Sequence, residues 1–123
     1  MRADGHFRAA ANALRGAAQE KRREVDELRN RLQREENDTK HQADEARSRI
    51  RQTELDMVHA ETGERDSGKA ARLVGEMNNL QKYISDLQDA FDRQRRQWLD
   101  RIRDLEAEIN DLNNQARNFE TRT

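Results

Sequence analysis

Apolar side chains recur along the chain at alternating steps of three and four residues. In the second half they are Ala70, Leu73, Met77, Leu80, Ile84, Leu87 and Phe91, then Trp98, Ile102, Leu105, Ile109, Leu112, Ala116 and Phe119. The first half carries Leu14, Ala18, Val25, Leu28, Leu32, Thr39, Ala43, Ala46, Ile50, Thr53, Met57 and Ala60. On a helix this rhythm draws one narrow apolar stripe, the a/d seam of a coiled coil. A chain without fixed structure has no cause to keep the rhythm so long. The pattern predicts an all-α chain with helices over about 6–62 and about 69–120, joined by a turn at 63–68.

Each half contains one fault. The step from Leu32 to Ala43 is eleven residues, and so is the step from Phe91 to Ile102. Eleven is a heptad plus four, a stutter that locally unwinds a supercoil, and two helices packed along their length must share such a change. The faults align if the chain folds back about Arg65, so that the numbers of facing residues sum to 130. Leu32 then faces Trp98, Thr39 faces Phe91, Ala43 faces Leu87, Ala46 faces Ile84, Ile50 faces Leu80, Thr53 faces Met77 and Met57 faces Leu73. Towards the chain ends Leu28 faces Ile102, Val25 faces Leu105, Ala18 faces Leu112, Leu14 faces Ala116 and Ala11 faces Phe119. Small residues of the first helix often face large ones of the second, which keeps the layer volumes manageable. Lys21 falls opposite Ile109, where its stem can cover the apolar side chain while the ammonium stays wet. Between the two blocks Glu35 is expected opposite Arg95 and Glu36 opposite Gln94, a polar layer that penalises slipped registers.

Gly63 and Gly68 bracket Glu64-Arg65-Asp66-Ser67, and an interior glycine costs a helix about 1 kcal/mol. The seam also changes phase there, which favours an intramolecular antiparallel hairpin. A domain-swapped antiparallel dimer would reuse every contact. Off the seam Val58, Val74, Tyr83 and Leu99 offer a second, weaker stripe, through which hairpins could pair as a homodimer in a four-helix bundle.

Composition narrows the function. Charged residues make up 40% of the chain and hydrophobic ones 33%, with no proline and five glycines, so a thick globular core is out of reach. The 123 residues are expected to form one domain. Lys and Arg number 24 against 25 Asp and Glu, a formal net charge of −1, whereas dedicated nucleic-acid binders carry a basic excess. The basic clusters Lys21-Arg22-Arg23 and Arg93, Arg95, Arg96 are interleaved with acids and form no continuous basic face. No apolar run is long enough for membrane insertion, and the first residues lack the apolar stretch of a signal peptide, so a cytoplasmic location is the default expectation. The absence of cysteine excludes disulfides, thiolate metal sites and a cysteine nucleophile.

No phosphate-binding glycine loop and no nucleophile elbow is present, and two paired helices offer no water-excluding pocket, so no enzymatic activity and no cofactor are expected. His41, with Asp38 three residues before it and Glu45 four after, has the helical spacing of a divalent-metal chelate, although a single helix fixes such a site poorly. Asp86, Asp89 and Asp92 form an outward stripe, and Asp100, Asp104 and Asp111 a second. Both stripes read first as solvated faces laced by neighbouring arginines. Their oxygen donors also suit hard divalent cations, or a mineral or cationic surface.

Glu64 and Asp66, beside Arg65 at the hairpin tip, resemble the acidic tip of the transcript-cleavage factors in shape, without the globular domain of that family. In length and architecture the hairpin resembles the flagellar and type III secretion stalk proteins, which would imply an adaptor beside an export ATPase. The residues themselves point to a non-catalytic scaffold or adaptor that presents charged helix surfaces to a protein partner.

Overall fold

A computed structural model of the chain describes the backbone of residues 2–122 and the side chains of residues 5–122. Two long helices pack against each other as an all-α hairpin: α1 is Arg2–His59 and α2 is Ser67–Glu120, with a short π-helical segment, Ala60–Glu64, after α1. Among the described residues there is no strand. Every seam position named above is buried or half-buried, from Leu14 to Phe119, so one three-four stripe per helix is what the two elements bury.

The core is narrow because each helix has a single partner. In one cluster Ala18 and Val25 of α1 meet Ile102, Leu105 and Ile109 of α2, with Leu28 and Leu112 packed against them. In the other Ala43 and Ala46 meet Ile84, flanked by Ile50, Leu80 and Leu87. Leu105 and Ile109 are the largest side chains wholly removed from water, each worth about 1.5–3 kcal/mol on burial. The small residues of α1 let these branched side chains approach its backbone. Thr53, buried in the seam, donates its hydroxyl to the Arg49 carbonyl at 2.7 Å, so its polar atom is satisfied within its own helix.

Residue contacts divide the chain into two compact units. Unit 1 takes Met1–Gln33 with Arg95–Thr123, and unit 2 takes Arg34–Gln94. In each, a stretch of α1 is paired with a stretch of α2. Both boundaries fall within or beside the eleven-residue steps, where the large apolar residues are most widely spaced. Of the residues expected in the polar layer, Glu35 is half-buried and Glu36, Gln94 and Arg95 are exposed.

The turn is tighter than the sequence suggests. Neither Gly63 nor Gly68 takes a positive φ; Arg65 does, at φ 52° and ψ 40°. The Ala60 carbonyl accepts from the Arg65 N–H and, at 2.8 Å, from the Asp66 N–H, which widens the last turn into a π-helix. Gly63 serves another purpose: a Cβ there would stand 3.0 Å from the His59 imidazole, which lies over it. Asp66 then opens α2 as its N-cap, its Oδ1 accepting from the Lys69 N–H at 3.0 Å and its carbonyl from the Ala70 N–H at 3.0 Å. Lys69 Nζ closes the turn by donating to both Glu64 oxygens at 3.0 and 3.1 Å.

Arg65→Gly removes the cost of a left-handed L-residue and should raise stability by about 0.5–1 kcal/mol, after the added freedom of the unfolded chain is counted. Asp66→Ala should lower it by about 1 kcal/mol, both changes being read as shifts of a urea midpoint. A chain carrying Ile50→Cys and Leu80→Cys should crosslink within one molecule on oxidation; dimers linked chain to chain would instead mean exchanged helices.

Candidate functional site

The charged residues do different work in the two units. In unit 1 they tie α1 to α2. Arg15 donates from Nε and a terminal nitrogen to the two oxygens of Glu120, each at 2.8 Å. Lys21 donates to Glu108 at 2.7 Å, Arg29 to Glu106 at 2.5 Å and Arg101 to Glu24 at 3.2 Å. The position numbers of these pairs sum to between 125 and 135, bracketing the mirror about Arg65. Lys21 is the half-buried lysine opposite Ile109, and Glu108 is what receives its ammonium. The Arg31 guanidinium also lies 5.6 Å from the centre of the Trp98 ring, and Phe7 packs on Phe119 with ring centres 6.0 Å apart.

These bonds leave an electrostatic signature. The hydrogen bond from Lys21 holds the Glu108 carboxyl below its ordinary value, and that from Arg15 does the same for Glu120. The Glu120 carboxylate in turn raises Arg15. All are solvent-exposed, so screening limits what each contributes.

In unit 2 the described ion pairs lie within one helix or around the turn. His41 pairs with Glu45 at 3.0 Å and Arg47 with Asp44 at 3.1 Å, while His59 Nε2 lies 3.7 Å from Glu64. The same unit exposes Leu55, Val58, Val74 and Tyr83, whereas unit 1 exposes Leu99 among its large apolar residues. Leu55, the most open of these at 65% exposure, escaped the sequence reading because it falls in neither stripe, though its spacing of three from Val58 was a usable signal.

A groove crosses unit 2 between the helices. Glu35, Asp38, Thr39 and Gln42 line it from α1, and Leu87, Ala90, Phe91 and Gln94 from α2. Each set is spaced i, i+3, i+4, i+7, so each is one face of its helix. The groove opens where α1 offers Thr39 and α2 offers Ala90, too little side chain to fill the space, and Phe91 remains half-buried beneath it. Its apolar lining residues are Leu87, Ala90 and Phe91, and its charged groups are two carboxylates, with no base among the lining residues. Neither Glu35 nor Asp38 takes part in a hydrogen bond or ion pair. Sequence reasoning placed Glu35 in a polar layer and Asp38 beside His41, and did not see that the two border one concavity.

The remaining candidates stay apart. His41 and Glu45 form a pair, Asp38 faces the groove, and Asp86, Asp89, Asp92 and Asp104 lie exposed on α2. Asp100 pairs with Arg103. Among the described residues no three His, Asp or Glu side chains come together as a group able to hold a metal ion. At the tip both acids are taken up by the turn, Glu64 by Lys69 and Asp66 by its capping bond. No described helix is long and apolar enough to cross a membrane. Compared with known protein families, curated proteins and solved structures, the chain matches none.

Because Glu108 and Glu120 titrate lower in the folded chain, their contribution to stability is present above the unfolded value of about 4.3 and is lost as pH falls through the folded value. The melting temperature should therefore drop on acidification below about pH 4.3. With Glu108→Gln and Glu120→Gln together the acid limb should be shallower and the neutral-pH melting temperature slightly lower, as followed by circular dichroism.

Proposed function

We propose that the protein is a non-catalytic coiled-coil adaptor whose unit 2 presents its outer surface to a protein partner. The observation that carries this reading is the division of labour between the units. The described ion pairs joining the helices are spent in unit 1, while unit 2 holds most of the exposed large apolar residues and leaves the groove carboxylates unpaired. Exposed apolar groups set among charges are the composition expected of a contact surface, and Leu55 and Val58 lie one helical turn apart on the same face of α1. The resemblance to export stalk proteins is compatible with this role and adds no residue to it.

A photocrosslinking amino acid at Tyr83, in the intact chain in its native cell, should form a covalent adduct with another protein. The same group at Leu99 should give little or none. Adducts from Leu99 alone, or from neither position, would overturn the assignment to unit 2. Mass spectrometry of the adduct identifies the partner, an export ATPase included.

A further inference from the structure

We propose that the groove of unit 2 is a receptor for an arginine side chain of the partner protein, an inference that rests on the adaptor reading and names the chemistry of its contact. Four features on the two facing helix surfaces carry it. The groove encloses about 200 Å³, below the range of sites for whole small molecules and suited to one extended side chain. Its floor is Leu87, Ala90 and Phe91, which suits an aliphatic stem and offers an aromatic ring to a cation. Glu35 and Asp38, one helical turn apart on the rim, bring two unpaired carboxylates with no lining base to neutralise them. Glu35 is also half-buried, so its side chain belongs to the groove wall rather than to the open helix surface.

Guanidinium fits this set better than ammonium. It is planar, stacks on aromatic faces, presents several donors at once to carboxylates and is more weakly hydrated. The chain already uses the same chemistry elsewhere, with Arg15 gripping both oxygens of Glu120 and Arg31 set over Trp98. The stutter is what makes room: a large side chain at position 39 or 90 would close the groove, and the sequence places Thr39 and Ala90 there.

The test is a titration of the full-length 15N-labelled protein with N-acetyl-arginine amide, with N-acetyl-citrulline amide as the neutral isostere. Saturable amide shifts confined to the groove residues, with affinity at least about tenfold lower for citrulline, are expected from the loss of charge-assisted hydrogen bonds. Glu35→Gln with Asp38→Asn should weaken arginine binding to a similar degree. Ala90→Leu keeps both carboxylates and fills the floor, so it should also abolish the shifts, and it serves where the double variant does not fold. Equal binding of citrulline would overturn the proposal, as would shifts at carboxylates along both helices alike. Saturation of the same amides by Mg2+ but not by arginine amide would make the groove a cation site instead. Self-association in sedimentation that is lost in Ala90→Leu would make the occupant a second copy. Groove shifts absent while Tyr83 still gives a partner adduct would sink this inference alone. Groove shifts present with no adduct would leave a guanidinium site and remove the adaptor reading.

Discussion

A pair of helices has one layer of core, and its thickness is set by what each helix contributes to each level. The constraint on this chain is that α1 supplies mainly small residues where α2 supplies large ones. Ala43 and Ala46 sit against Ile84, and Ala18 and Val25 against Leu105 and Ile109. Because each helix has a single partner, much of the seam is only half-buried. A slip by one heptad would set the two eleven-residue steps out of line. The aligned steps thus favour one register, and the register decides which charges meet.

Charge pairing follows that register unevenly. Near the chain ends the residues flanking the seam are complementary across the two helices, so Arg15, Lys21, Glu24 and Arg29 find partners on α2. Such exposed pairs contribute little individually, but they favour the antiparallel arrangement because a parallel or slipped one would separate them. Closer to the turn the flanking positions include Val74, Tyr83 and Gln88, and none of the described ion pairs joins α1 to α2 there. The turn compensates locally through the Asp66 cap and the Lys69–Glu64 bridge. The molecule therefore closes itself at the tip and near its ends by different means.

Much of this was legible in the sequence. Local periodicity is enough to define a seam, since burial on a two-helix pair depends on which face a residue occupies, and every seam position from Leu14 to Phe119 is buried or half-buried. The mirrored steps identified the fold-back at Arg65 because shared twist is a property of the pair that both halves must record. The candidate site was less legible. Its lining residues come from two segments about fifty positions apart in number, and a groove is a deficit of side-chain volume, which no motif announces.

By itself the sequence determined the helical class, the two seams, the antiparallel direction and the place of the reversal, all of which follow from spacing and the sizes of facing residues. Tertiary structure alone decided that Arg65 rather than a glycine takes the left-handed conformation, that the tip acids are consumed by the turn, and that Glu35 and Asp38 border one groove over Phe91. The physical reason is the same in each case. Hydrogen bonds and cavities depend on where atoms of separate segments stop relative to one another, to within an ångström, and periodicity fixes only the face on which they lie.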